Sequence, residues 1–347
     1  MTRIVAILVL AAAAGPLPAQ PSKAPALPLI NPAQARLDQT LGGLDGPCYA
    51  LAAAEGAGFL IAGGENGTLI AWPRSAWMGV RVGGQAPDVS AAHDGLITAL
   101  AWTGNSPLVS AGADRKVRLW AMPSRDPKQT LETGAVVRAL AISADGKRLA
   151  AGDDSNRVHL FDLPDGKPTI KLTGHSDWIL TLAFSPDGSR LVSGGYDGRA
   201  IVWDSSTGTK VIELSVQQPP AANAPQPLSA AVTAAAYRPD GRMLAVGTSA
   251  GQVLLFNGAD GKLLRPVQTP HASAVTGLAF HPGGNVLASC SRDRSAKLWN
   301  PENGQLLMSL DGHAAWVQGV TFLEKGTRLA TAGADQTVRV WDLTPKK

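Results

Sequence analysis

Short apolar runs alternate with tight-turn signals along almost the whole chain, and the period of that alternation is that of strands. Phe184-Ser185-Pro186-Asp187-Gly188-Ser189-Arg190-Leu191 sets a Pro-Asp-Gly turn between two apolar runs, which predicts two strands joined by a hairpin. The same turn returns in Tyr237-Arg238-Pro239-Asp240-Gly241, in Phe280-His281-Pro282-Gly283-Gly284 and in Ile142-Ser143-Ala144-Asp145-Gly146. No stretch between these turns predicts a long helix. The 38 Gly and 25 Pro are spread along the chain, so they punctuate many strands instead of forming a flexible tract.

The turns belong to a larger repeat. An aromatic residue ends an apolar run at Trp72, Trp120, Phe161, Trp203, Phe256, Trp299 and Trp341, with separations of 48, 41, 42, 53, 43 and 42 residues. A period near 42 lies in the range of propeller blades. One unit runs His175, Ser193, Asp197, Trp203, with the last three 18, 22 and 28 residues after the histidine. His271, Ser289, Asp293, Trp299 and His313, Thr331, Asp335, Trp341 keep all three spacings, and His93, Ser110, Asp114, Trp120 is one residue shorter before Ser110.

Those four copies resemble the WD-repeat family over about residues 37–347. The resemblance implies an all-β fold, a seven-bladed β-propeller of four-stranded antiparallel sheets. It also implies that the indole, hydroxyl, imidazole and carboxylate of each copy form one structural chain of hydrogen bonds inside a blade. Three units depart from the pattern: those of Trp72, Phe161 and Phe256 carry Asn66, Ser155 and Ala250 at the Asp place and Ala62, Ala151 and Val246 at the Ser place, without the His. They are expected to hold by packing. After Trp341 only Leu343 to Lys347 follow the last strand, so Leu37 to Leu41 is expected to supply the outer strand of the last blade and remove an open edge.

Ser, His and Asp together invite comparison with a hydrolase triad, but a catalytic set is needed once and this one recurs four times, each time with a Trp. Walker-type loops, His-Glu-x-x-His and paired Cys followed by His are absent from the sequence, so no catalytic residue, metal ligand or cofactor is expected. His159 and His281 stand outside the repeat, and Asp153-Asp154 reads as a solvated turn. Cys48 and Cys290 are too few for a disulfide framework.

Composition adds a compartment and a partner class. Arg3, the apolar run Ile4 to Ala14 and the small residue Ala19 predict a secretory signal over residues 1–19, too short to span a bilayer. A Pro-rich linker is expected over 20–36 and the propeller over 37–347, in an exported, periplasmic or envelope protein; a cytoplasmic location is the alternative. Net charge is +4 without a basic run, which argues against nucleic acid. A protein or peptide partner is expected instead, with no membrane insertion of the mature chain and a monomeric state. Trp178 and Trp316 stand three residues after a repeat His, and Tyr196 and Arg292 just before a repeat Asp. These four are the expected partner-binding residues, since Trp, Tyr and Arg dominate binding energy; packing on the adjacent blade is the other role open to the Trp residues. The expected function is a non-catalytic scaffold for other exported or envelope proteins. The alternative is a propeller enzyme, or an accessory subunit of an envelope redox system, with a cofactor or metal in the channel. An insert from Gln217 to Pro227, and a shorter one around Gly83 to Ala91, are expected between outer and inner strands.

Overall fold

The computed structural model describes residues 35–53, 58–78, 88–104, 106–121, 127–216 and 230–344. The expected signal, nearly all of the Pro-rich linker and the Gln217 to Pro227 insert lie outside those residues. The strands form seven four-stranded antiparallel sheets arranged as the blades of a propeller, as the repeat predicts. Blades are numbered here from the one whose inner strand is Cys48–Ala53. Blade 4 shows the plan: inner strand Ile179–Phe184, second strand Arg190–Gly195, third strand Ala200–Asp204 and outer strand Lys210–Leu214, each joined to the next by a short turn. At the Pro-Asp-Gly turn between the first two strands Gly188 has φ 71°, a conformation that glycine adopts without steric cost.

Burial falls from the axis outward. The inner strands are buried throughout except at Arg138, Tyr237 and Phe280, whereas the outer strand Lys167–Thr173 is exposed at most positions. An inner strand is covered on both faces by neighbouring blades, so it reads as a continuous apolar run instead of an alternating one. Each inner strand also carries a bulge near its start, as between Ile179 and Thr181 against the second strand. Such a bulge bends the strand and increases its twist.

Neighbouring blades interlock through one contact. The second strand places Gly63, Ala111, Gly152, Gly194, Gly247, Cys290 or Ala332 at matching positions, and every one is small. Opposite stands the first residue of the next inner strand. A Cβ on Gly63, Gly152, Gly194 or Gly247 would lie 2.5, 2.4, 2.3 or 2.6 Å from a methyl carbon of Ile97, Ile179, Val232 or Val275, respectively. The β-branched side chain fills the space that the missing Cβ leaves, at the close packing of a protein interior. Where the last blade meets the first, Ala332, larger than the glycines, is matched by Cys48, smaller than the β-branched residues, both in one apolar cluster.

The ring closes as expected. Arg36–Leu41 pairs antiparallel with Val338–Asp342, Arg36 opposite Asp342 and Leu41 opposite Val338. Arg36 reaches the Asp342 carboxylate at 3.0 Å, and Arg328 holds Asp38. One helical turn, Arg74–Trp77, follows the third strand of blade 1, and its Arg74 forms a two-pronged ion pair with Glu324 of blade 7. The shorter insert expected around Gly83 to Ala91 is corrected here. Asp88–Ala91 is itself the outer strand of blade 1, paired with Thr68 to Ala71. The extra length of that unit therefore falls between third and outer strands, at the opposite rim from the one expected.

Gly194→Val forces two methyl groups into the space held by Val232 and Thr181. We expect a loss of about 1–3 kcal/mol, read as a lower urea midpoint at unchanged slope; an unmoved midpoint would show that this contact does not limit blade packing.

Candidate functional site

Two sets of loops share one face of the propeller: those leading from an outer strand into the next inner strand, and the turns between second and third strands. The repeat polar residues join them. In blade 4 the His175 Nδ1 lies 2.9 Å from the Asp197 carboxylate, its Nε2 lies 2.8 Å from the Ser193 hydroxyl, and the Trp203 indole N–H donates to that hydroxyl at 2.7 Å. Blades 2, 6 and 7 repeat the connection through His93, Ser110, Asp114 and Trp120, through His271, Ser289, Asp293 and Trp299, and through His313, Thr331, Asp335 and Trp341.

Donor and acceptor bookkeeping fixes the direction of the chain. The carboxylate can only accept, which places the proton of a neutral imidazole on Nδ1; Nε2 then accepts from the hydroxyl, and the hydroxyl accepts from the indole. That is the connectivity of a hydrolase triad, but the three Ser residues and Thr331 are 0% exposed. A hydroxyl capped by an indole and sealed from solvent reaches no substrate, so the arrangement is a clamp. Its carboxylate finishes the job by accepting the backbone N–H after the histidine, from Ser176 at 2.9 Å, Ala272 at 3.0 Å and Ala314 at 2.9 Å.

The remaining blades use other partners. Blade 3 corrects two expectations: Asp153 is not a solvated turn residue and His159 does not stand alone. Asp153 is 1% exposed, its carboxylate meets His159 Nε2 at 2.8 Å, and it accepts the N–H groups of Ser155 and Arg157. A polar pair thus holds a blade expected to rely on packing alone, from neighbouring positions that a search at fixed spacing passes over. In blade 1 the Trp72 indole donates to the Gly42 carbonyl, and Asn66 donates to that of Asp45. His281 is buried on the opposite face, accepting the Gly283 N–H and packed edge-on against Phe322.

The face carries a second regularity. The backbone N–H of the residue before the Asp position donates to the carbonyl of the residue entering the inner strand: Tyr196 to Trp178 at 2.8 Å, Ser249 to Ala231 at 2.9 Å, Arg292 to Ala274 at 3.0 Å and Ala334 to Trp316 at 2.8 Å. Each blade thereby presents two side chains next to each other. Trp178 and Tyr196 form such a couple, ring centroids 6.2 Å apart. Arg292 crosses to the next blade and lies over the Trp316 ring at 4.8 Å. Between them blade 5 presents only Ala231 and Ser249. Burial pushes the Arg292 guanidinium below its ordinary range, with Tyr196 near enough to oppose the shift.

Sequence reasoning missed Arg138, whose guanidinium lies 4.1 Å over the Trp178 ring. The signal was a lone Arg inside the apolar run Val137-Arg138-Ala139-Leu140. Exposure differs among the four expected residues: Trp316 is 49% and Tyr196 37% exposed, while Trp178 is half-buried against Leu180 and Ala231. Packing on the adjacent blade thus accounts for part of Trp178 and for little of Trp316. Among the described residues no group of three or more His, Cys, Asp or Glu is placed to hold a metal ion. No helix among them is long and apolar enough to cross a membrane.

Burial pushes His93 and His313 below the ordinary histidine value of 6.5, against the pull of their carboxylates. For Asp114, Asp197, Asp293 and Asp335 burial acts upward, but hydrogen bonds from the histidine and from backbone or side-chain donors outweigh it, and all four fall below 3.8. Both depressions have the same sign. The stabilising contribution is complete above the unfolded value and is lost as pH falls through the folded one. The melting temperature should therefore hold above about pH 6.5, decline below it as His93 and His313 protonate, and fall again below about pH 4. A calorimetric series in which stability rises on acidification would contradict this.

Comparison with known proteins agrees with this geometry. Residues 88–121 and 125–162 match the model of the WD domain, G-beta repeat, and residues 172–341 match that of the nucleolar protein 10-like N-terminal domain. Among similar proteins, the ribosome biogenesis protein WDR12 homolog of Nematostella vectensis is 29% identical over 120 residues, 33% of this chain and 29% of its own length. Periodic tryptophan protein 2 of Saccharomyces cerevisiae is 30% identical over 86 residues, 24% of this chain and 9% of its own. Elongator complex protein 2 of Rattus norvegicus is 31% identical over 140 residues, 35% of this chain and 16% of its own. The matches span less than a third of each relative. With seven radial sheets and four matched copies of the polar clamp, the chain carries WD40 repeats and folds as a seven-bladed β-propeller.

Proposed function

We propose that this protein is a non-catalytic scaffold that holds a protein or peptide partner on the loop face, around Trp178, Tyr196, Arg292 and Trp316, with Arg138 beneath Trp178. The observation that carries this reading is the Arg292–Trp316 stack beside the exposed Tyr196. Most of the repeat polar groups on this face are consumed inside the blades. The large side chains left at the surface combine contact area with cationic and aromatic character, the combination most common at the energetic centre of an interface. One matched relative is named as a ribosome biogenesis protein and another as a protein of the Elongator complex, names that fit a part in assemblies. We extend the proposal to export, on the strength of Arg3, the Ile4 to Ala14 run and Ala19, with the partner in the same compartment.

The test begins with affinity capture of the partner from the producing cell's envelope fraction and measurement of its affinity with purified components. Trp316→Ala and Arg292→Ala should each weaken it by about 2 kcal/mol, roughly thirtyfold. Unchanged affinity in both would remove this face from consideration. For export, sequencing the N-terminus of the secreted protein should give a start at Gln20, or at Gly15 if cleavage follows Ala14; a retained Met1 in the soluble cytoplasmic fraction would refute it.

A further inference from the structure

The opposite face also has a feature that neither the repeat nor the proposed binding surface uses. Around the other mouth of the channel lies a cavity of about 50 Å³, walled by Phe184, Tyr237, Phe280 and Phe322 and rimmed by Pro239 and Pro282. A single water needs roughly 10–15 Å³ on this measure, so the space takes one branched aliphatic side chain. Tyr237 and Phe280 are two of the three inner-strand residues that are not fully buried. The Tyr237 hydroxyl is buried and has no hydrogen-bond partner, and burial pushes its pKa up beyond the ordinary phenol range. A neutral phenol kept dry among rings needs an acceptor, and leaving it without one costs about 1–3 kcal/mol.

The closing strand brings a candidate to this face. Arg36 stands opposite Asp342, and Asp342 stands opposite Arg328, which directly follows the turn between the inner and second strands of blade 7. Ala35 and Arg36 therefore stand at the face that holds the cavity. From the outer to the inner strand of one blade is three strand spacings, about 14 Å, and one further blade adds about 10 Å. An extended proline-rich chain rises about 3.1 Å per residue, so about eight residues cover the distance. Counting back from Ala35, that reaches Leu27 to Leu29. Residues 25–32 read Pro-Ala-Leu-Pro-Leu-Ile-Asn-Pro, and no charge occurs from Ala24 to Ala35.

We propose that residues 25–32 of this same chain dock in the cavity, with a leucine among the four rings and a backbone carbonyl accepting the Tyr237 hydroxyl. Prolines carry no N–H, so Pro25, Pro28 and Pro32 enter an apolar groove without leaving buried donors unsatisfied. Rings interleaved with prolines are the surfaces on which such segments are commonly held. Docking there would leave the loop face untouched, so the proposal stands or falls apart from the binding surface described above.

The experiment uses the full chain with photoreactive p-benzoyl-phenylalanine in place of the half-buried Phe280. Irradiation should give adducts mapping to residues 25–32, with a yield that does not change on about tenfold dilution, as for an intramolecular contact. Leu27→Asp with Leu29→Asp should abolish them. Adducts only between copies, with a yield that falls on dilution, or only with another protein, would overturn the assignment, as would their absence. A second measurement reads the segment by its chemical accessibility. A cysteine placed by Leu29→Cys should be alkylated about tenfold more slowly than one placed by Ser22→Cys, a burial of about 1.4 kcal/mol, and Tyr237→Phe should narrow the difference; equal rates would refute docking.

Discussion

Everything in this propeller rests on a size match between adjacent blades: a small residue on the second strand of one and, at every junction but that onto Cys48, a β-branched residue at the start of the inner strand of the next. Because a Cβ at Gly63, Gly152, Gly194 or Gly247 would fall within 2.6 Å of the neighbouring methyl, the distance between blades is set by the backbone itself. Interiors packed this closely do not deform continuously, so a change at one junction must be absorbed around the ring. The loop face inherits that rigidity. Trp178, Tyr196, Arg292 and Trp316 come from three different blades, and their spacing is held by contacts deep below them.

The polar clamps act at a second level, tying each inner-strand entry to the turn beside it. Their wiring matches that of a serine hydrolase, and what separates the two is access. In blades 2, 4, 6 and 7 the hydroxyl is capped by an indole and has no exposed surface, so its hydrogen bonds are spent on geometry. Chains of hydrogen bonds polarise one another and are strongest when fully satisfied and dry. The same condition makes them vulnerable to acid, since protonating a buried imidazole or its carboxylate breaks the sequence of donors and acceptors.

Much of this was legible in the residues. The spacing of His, Ser, Asp and Trp, together with the Pro-Asp-Gly turns, determines strand order, blade number and the need for an N-terminal strand, because those features are local and repeat. Less legible was whatever depends on contacts between units. Asp153 and His159 sit at places the repeat leaves for other residues, so their pairing surfaces only when the third strand is laid against the second. Arg138 drew no expectation from the sequence, yet it lies over Trp178 from the preceding blade. The length near Gly83 was assigned to the wrong connection because a period counts residues per unit and does not say between which strands they fall.

The ion pair of Arg36 with Asp342 joins positions 306 residues apart. Closing a loop of that length in an unstructured chain costs about 5 kcal/mol of entropy, more than one edge strand recovers. The pairing of Arg36–Leu41 with Val338–Asp342 therefore depends on the other sheets to bring its two strands together. It also makes completion of the disc a checkpoint: a protein truncated before Val338–Asp342 has nowhere to put its own beginning.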